Sequence, residues 1–438
     1  MFRHLPPTSP YLTGPALAAA ARSAFGGPAT IDAFAESLAR YTGAPGAFLA
    51  STGRTALYLA LKELAHQHAD RREVILPAYT CPVLVTVLEA AQLTPRLCDV
   101  DPNTFDFDRD YLRRLISERT LAVIPVHPNG IPQEVCDVIA LADEHGAVVI
   151  EDAAQSLGAR LHGRSVGTRG RFGLISLGPG KALSTGSGGF LLCNRDDDRD
   201  MLARIWRDLP SQSRMRSVLA VLGIAALKFG FHPMGWWLTT RLGINRIGDS
   251  EATWGFKLNK LTTTQAGMGR ALLAQLDTIN AARRERAARL IEALNDAPAI
   301  RFPKIAPGAD PIYVRLPVLV SGAGRRDQLF DALHRQGISA GKMYNRPLNV
   351  TFPQMFRSNE DYPGAATIAA QLLVLPTHRF VTDGDIARIA NAARHLSSGS
   401  SLAKAFEPSQ GFCSSQPRAR SSTKASLAYS VTSPRGTR

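Results

Sequence analysis

The sequence predicts an α/β protein, a large domain whose mostly parallel sheet lies between helices, followed by a small C-terminal α/β domain. Three observations predict it. Apolar runs of strand length recur at residues 74–76, 121–126, 147–150 and 172–177, with helical periods between the first of them, which is how β-α-β steps buried on both faces read. With 438 residues, 45% of them hydrophobic, the chain exceeds one ordinary domain and can bury a large core. Strand-like alternation returns at residues 312–318 and a helical stretch follows at 326–336, a second and smaller unit. The expected division is 1–245 for the large domain, 246–396 for the small one, and a tail over 397–438.

Residues 15–42 have helical spacing, and Gly43 fits the residue that stops such a helix. Ser51, Thr52, Gly53, Arg54 and Thr55 then lead into a helix with Leu57, Leu61 and Leu64 on one face. Hydroxyls and glycine before a helix make either an anion site or an ordinary N-cap. The strand at 74–76 breaks into a loop carrying Tyr79 and Cys81, and a helix starts at Val83. The run 121–126 ends in His127, and a histidine at a strand end serves as a structural hydrogen-bonding group or as an acid–base group. A helix over 134–145 returns the chain to the run 147–150, which stops abruptly at Glu151 and Asp152. The run 172–177 opens into Gly178, Pro179, Gly180 and then Lys181. A lysine in a glycine-rich crevice between strand ends, with an aspartate on a neighbouring strand, suggests a Schiff-base lysine and a partner for a pyridinium nitrogen. That pairing points to pyridoxal phosphate.

Residues 217–238, within an insertion over 214–241, are unexpectedly apolar, but Lys228, His232 and Pro233 interrupt them, leaving too little for the roughly 20 residues that span a bilayer. Burial against a partner subunit or the core is the first reading. A monotopic anchor, with Arg214, Arg216, Lys228 and Arg241 flanking Trp236 and Trp237, is the second. Residues 265–289 predict one long helix with Leu272, Leu273 and Leu276 at core spacing, and Arg283, Arg284 and Arg286 as a solvated face. The Ser-rich stretch 397–438 has few large apolar groups and is expected to be disordered.

The formal charge is +14, yet the basic residues are spread and not alternated with stacking aromatics, which argues against nucleic acid as a partner. Cys81, Cys98, Cys136, Cys193 and Cys413 are odd in number and scattered, with no metal-ligand spacing; reduced thiols and no metal site are expected. The first residues lack a signal-peptide pattern, so a cytoplasmic protein is expected, with membrane-peripheral contact as the variant of that reading.

The string Glu151-Asp152-Ala153-Ala154-Gln155-Ser156, then His162-Gly163-Arg164 and Val166-Gly167, then Ser176 five residues before Lys181, and the Gly188-Gly189 turn resemble the PLP-dependent sugar-nucleotide aminotransferases of the DegT/StrS group. The resemblance covers residues 10–396 apart from the apolar insertion. It implies PLP fold type I, like aspartate aminotransferase, and a homodimer with shared active sites. Lys181 would carry the cofactor and move protons, and Asp152 would hold the pyridine nitrogen protonated. Ala154 would lie against the ring and Gln155 would bond its hydroxyl. Gly53, Arg54, Thr55, Ser176 and the second subunit's Asn259 would hold the phosphate. His127, Lys260, Tyr344 and His378 would lie near substrate. Glutamate is the implied amino donor and a keto-sugar carried on a nucleotide the acceptor, for surface polysaccharide or secondary-metabolite sugars. Where relatives have a stacking aromatic this chain has Cys81, whose thiol can pack on the ring; Tyr79 either leans in or, the favoured reading, is a core tyrosine with its hydroxyl satisfied. Where relatives have an arginine it has Lys260, which lacks the planar fork. The competing expectation is a catalytically silent interaction module on the same fold, or another PLP reaction on a non-sugar substrate.

Overall fold

The computed structural model describes residues 2–244, 254–356 and 360–397; the expected disorder of the tail and Cys413 fall outside them. Two helices come first, α1 (Gly14–Ser23) and α2 (Ala29–Thr42). Gly26, Gly27 and Pro28 divide what periodicity read as one helix, and Gly43, at φ +78°, ends α2 as expected. The central sheet then forms from β1 (Gly46–Ala50), β2 (Glu73–Pro77), β3 (Thr94–Cys98), β4 (Thr120–Val123) and β5 (Val148–Asp152). A small hairpin, β6 (Arg160–Leu161) and β7 (Arg164–Ser165), lies outside it, and β8 (Phe172–Ser176) and β9 (Gly189–Cys193) complete it.

The seven strands are ordered β1-β9-β8-β5-β4-β2-β3. Pairs from β3 through β2, β4 and β5 to β8 are parallel, and β9 runs against both its neighbours. Parallel strands bring their C-terminal ends to one edge, where open α/β sheets place their sites. The ends of β2, β5 and β8 therefore meet there. Connecting helices α3 (Gly53–Gln67) and α4 (Val83–Ala90) cover one face with Leu57, Leu61, Leu64 and Leu84 to Leu88, while α5 (Arg109–Leu115) and α6 (Cys136–Glu144) cover the other with Leu112, Val138 and Ala142.

After α7 (Arg199–Arg207) come α8 (Arg214–Gly230) and α9 (Pro233–Arg241), which hold the apolar insertion. Of the first reading, burial in this chain's own core holds for Ile224, Phe231 and Trp236 but not for most of α8. Of α8 only Ser217 and Ile224 are buried, while Leu219, Leu222 and Phe229 are more than half exposed. No single helix among the described residues is long and apolar enough to cross a membrane, and α8 and α9 are bent by 86° against each other.

The long helix expected over 265–289 is two, α10 (Thr263–Leu273) and α11 (Leu276–Leu294), parted at Gln275, whose φ of −111° is not helical. Packing makes the break: α10 lies close on α1 and α2, where a β-carbon at Gly269 would stand 2.4 Å from the Phe34 ring. Past the break α11 changes partners, and Ala287, Leu290 and Leu294 join a separate core. Its strands are β10 (Ile300–Arg301), β12 (Arg315–Val320) and β13 (Leu372–Pro376), with β11 (Ala309–Asp310) pairing to the β6 hairpin. Helices α12 (Arg325–Arg335), α13 (Leu348–Thr351), α14 (Pro363–Gln371) and α15 (Asp383–Ser397) follow in order. Leu5 is buried in this second core, and Arg3 pairs with Asp385, so the N-terminal segment ties the two ends of the chain together. Arg283 is 3% exposed. The solvated face expected of it is therefore also corrected.

Candidate active site

At the C-terminal edge of the sheet lies a cavity of about 310 Å³, lined from six directions. Thr52, Gly53 and Arg54 come from the start of α3, Thr80 and Cys81 from the loop after β2, and His127 from the loop after β4. Asp152, Ala154 and Gln155 follow β5, Ser176 and Lys181 follow β8, and Tyr344 comes from the second core's side. A larger cleft, about 470 Å³, opens between α2, α7 and residues 260–263. Its lining carries Asp32 and Lys260, but Asp32 is exposed and the Lys260 amine is given to Arg207 O, whereas the smaller one pairs Lys181 with the buried Asp152.

Two adjacent carboxylates end β5, and alternation turns them to opposite sides. Glu151 points away from the cavity and takes the backbone N–H groups of Gly167, Arg169 and Gly170 at 2.9, 2.6 and 2.7 Å. Its fourth partner is His127 Nε2 at 3.0 Å. Burial alone would raise its pKa, but these donors outweigh burial and hold it below the ordinary carboxylate value. Glu151→Ala would leave those groups unpaired in the core, and urea unfolding near neutral pH should show a loss of about 3–5 kcal/mol. A variant with the wild-type midpoint would refute this role. Because the folded pKa is lowered, the stabilisation is complete above the ordinary carboxylate range and is lost as pH falls through the folded value.

Asp152 points the other way. Its backbone N–H bonds Pro125 O and its carbonyl accepts from His127 N–H. Oδ1 accepts from the Ala154 N–H at 3.0 Å, its only side-chain hydrogen bond among the described residues. Burial raises its pKa, against the pull of that N–H and of Lys181. Lys181 sits in the loop after β8, with no hydrogen bond from its amine among the described residues, and burial lowers its pKa while Cys81 and Asp152 oppose the shift. A buried lysine with a lowered pKa is a nucleophile and a base.

The other expected residues sort by partner. Ser176 Oγ accepts from the Gly178 N–H at 3.3 Å and lines the cavity. His127 Nδ1 accepts from the Gln133 N–H at 3.0 Å, so Nε2 carries the proton that Glu151 receives. With both nitrogens engaged, it offers the cavity only its ring. Burial pushes the Cys81 thiol pKa up, so it is a neutral, soft surface. Tyr79 does not lean in; its hydroxyl donates to Tyr344 O at 3.0 Å and its ring meets Tyr344 edge-on at 5.4 Å.

Four expected residues lie outside the cavity in this chain. Thr55 is fully buried, its N–H given to Thr52 Oγ1 and its hydroxyl to Lys257 O, so the hydroxyl that faces the cavity from this helix start is that of Thr52. Lys260 reaches Arg207 O in the larger cleft. His378, its pKa lowered to about 4 by burial, bonds Pro6 O at 2.8 Å and anchors the N-terminal segment. Asn259 accepts the Ser51 N–H with its backbone carbonyl. Sequence reading missed Thr52, Thr80 and the 186–188 turn as cavity walls; only the hydroxyl-before-glycine pattern at 52–53 signalled any of them.

The donor set fits pyridoxal phosphate. Buried Gln155 Oε1 and Thr80 Oγ1 have no hydrogen-bond partner among the described residues, and such atoms are rare unless a ligand satisfies them. The Lys181 amine and the Asp152 carboxylate share one cavity, suited to an aldehyde and a ring nitrogen. The start of α3 offers its dipole and free N–H groups to a phosphate.

Comparison with known proteins agrees. The DegT/DnrJ/EryC1/StrS aminotransferase family matches residues 17–394. The GDP-perosamine synthase of Caulobacter vibrioides is 29% identical over 372 residues, 82% of this chain and 88% of that protein. The dTDP-3-amino-3,4,6-trideoxy-alpha-D-glucose transaminase of Streptomyces venezuelae is 27% identical over 366 residues, 83% of this chain and 86% of that one. Among solved structures, DesV of S. venezuelae superposes with a TM-score of 0.68 at 25% identity, covering 89% of this chain and 98% of its own.

Proposed function

The chain belongs to the DegT/DnrJ/EryC1/StrS aminotransferase family, and from that premise we propose that it moves an amino group from glutamate to a keto-sugar carried on a nucleotide. The observation that carries this reading is the meeting of the Lys181 amine and the Asp152 carboxylate in one cavity. Relatives that make GDP-, UDP- and dTDP-linked amino sugars support the acceptor class.

Pyridoxal phosphate, when bound, supplies an aldehyde that condenses with amines and a ring that takes up the electrons of a broken C–H bond. In our reading Lys181 Nζ, whose charged form burial disfavours, takes the proton from the donor's α-carbon and later returns one to the acceptor's carbon. Asp152 keeps a positive charge on the ring nitrogen in place. Gln155 and Thr80 bond the ring's polar substituents. Gly53, Arg54, Thr52 and Ser176 hold the phosphate, joined by Asn259 from a second subunit. Tyr344 and Cys81 form the remaining wall and keep water out.

The test is to incubate the protein with L-glutamate and a panel of 3-keto and 4-keto sugar nucleotides and to follow products by mass spectrometry. Amination of a sugar nucleotide supports the reading. Amine uptake from glutamate with no sugar product across the panel rejects the acceptor class.

We also propose a cytoplasmic homodimer whose α8–α9 face rests on an anionic bilayer. Met215, Leu219, Leu222, Phe229 and Met234 are exposed there, between Arg214, Arg216, Lys228 and Arg241, which favours lipid headgroups beside an apolar surface. Vesicles rich in phosphatidylglycerol should carry the protein upward in a density gradient at low salt, and Leu222→Glu with Phe229→Glu should release it. If those substitutions instead split the dimer in light scattering, a second copy covers this face and the lipid reading is wrong.

A further inference from the structure

Beside Lys181 stands an arginine with no carboxylate partner among the described residues. Arg315, the first residue of β12, reaches the lysine loop so closely that a β-carbon at Gly180 would stand 2.6 Å from its Nη2. Gly180, at φ +75°, is thus a glycine for two reasons, conformation and room. The single hydrogen bond of Arg315 among the described residues is a weak one, 3.8 Å from Nη1 to the sulfur of Met343. Burial lowers its pKa, and it in turn disfavours the charged form of Lys181. One residue further along the loop, Arg283 donates to Ala182 O at 2.9 Å. A buried guanidinium, Arg283, and a half-buried one, Arg315, therefore hold the lysine loop, and Arg315 keeps nearly all its donors uncommitted among the described residues. A buried charge without a partner is costly, and a ligand anion is what would offset it.

The position of the charge selects the anion. Transfer requires the donor's amine to arrive at Lys181, and in an α-amino acid the carboxylate is attached to the carbon that bears the amine. Its holder must stand next to the lysine, as Arg315 does. The diphosphate of a sugar nucleotide lies across the sugar ring from a keto carbon, farther out than Gly180. Arg54, the cationic side chain among the cavity walls at the start of α3, lies where the cofactor phosphate belongs. A planar guanidinium also matches a carboxylate with two parallel hydrogen bonds.

We propose that Arg315 is the anchor for the amino donor, gripping the α-carboxylate of an α-amino acid while the amine lies against Lys181. The proposal rests on the amino-acid donor in the reading above, and not on the sugar acceptor.

L-Glutamate and 4-aminobutyrate share an amine and the distal carboxylate and differ in the α-carboxylate. The first half-reaction with each, followed by cofactor absorbance with no sugar present, should be much faster for glutamate in the wild type. Arg315→Gln should lower kcat/KM for glutamate by about 100-fold, mainly through KM, and change 4-aminobutyrate by less than about threefold. Arg315→Lys should fall between. α-Methylglutamate has no α-hydrogen and cannot be turned over; spectral titration should show its affinity for Arg315→Gln reduced by about the same 100-fold. The melting temperature of Arg315→Gln should hold or rise, since a half-buried charge with no carboxylate partner among the described residues is removed. Equal losses for both amines, undiminished α-methylglutamate binding, or a wild type that treats the two amines alike would each overturn the proposal. So would an intact glutamate half-reaction with slowed transfer to a sugar nucleotide, which would assign the arginine to the acceptor's diphosphate. No acceptor is needed in the donor assay, so a failed sugar screen and a failed arginine remain separate results.

Discussion

Lys181→Ala is expected to lower amino transfer by more than about 10⁴-fold, since one side chain serves as nucleophile and as proton carrier. The absorbance band that depends on the lysine should vanish from the purified protein. Burial, opposed by Cys81 and Asp152 and aided by Arg315, places the amine's pKa below its ordinary value. The activity of the wild type should accordingly rise with pH along a limb lying below the usual lysine range. Lys181→Arg should not rescue the rate, because a guanidinium stays charged and cannot attack or accept a proton. A Lys181→Ala protein with the wild-type spectrum and rate would remove the assignment altogether.

Asp152→Asn should cost about 10³-fold in the same assay, in the range of a positioned acid–base or charge-stabilising group. The amide has the same shape and can keep the Ala154 N–H bond at 3.0 Å, so the change removes charge alone. Stability should hold or improve, since the carboxylate is buried with a single hydrogen-bond donor and its pKa is raised by that burial. The contrast with Glu151 is the useful control. Glu151→Ala is expected to damage folding first and chemistry as a consequence, whereas Asp152→Asn is expected to damage chemistry in a well-folded protein. Near wild-type transfer by Asp152→Asn would show that no negative charge is needed opposite the ring nitrogen.

Much of the frame was legible in local pattern. The runs at 74–76, 147–150 and 172–177 became β2, β5 and β8 because short, largely apolar runs can bury both faces of a strand. Gly43 ended α2 because only glycine takes φ +78° without strain. Other parts were not legible because their outcome depends on what they touch. Residues 265–289 have continuous helical spacing, yet the chain breaks at Gln275 so that α10 can press on Phe34 and α11 can cross to another core. Arg283 reads as a surface residue in a basic run, but the Ala182 carbonyl and Asn280 take its donors in the interior. The apolar insertion reads as buried, and α8 instead leaves Leu219, Leu222 and Phe229 outside.

By itself the sequence determined the α/β order of elements, the strand ends that carry Asp152 and Ser176, the glycine-rich loop of Lys181, and with them the family. Those features depend on neighbours a few residues away, whose periodicity and backbone preferences are written in the chain. Only the tertiary structure decided which carboxylate faces the cavity, that His127 is held by Glu151, that Tyr79 supports Tyr344, and that Arg315 stands against Gly180. Each of those outcomes is a contact between residues distant along the chain, set by how whole layers pack, and no local spacing records it.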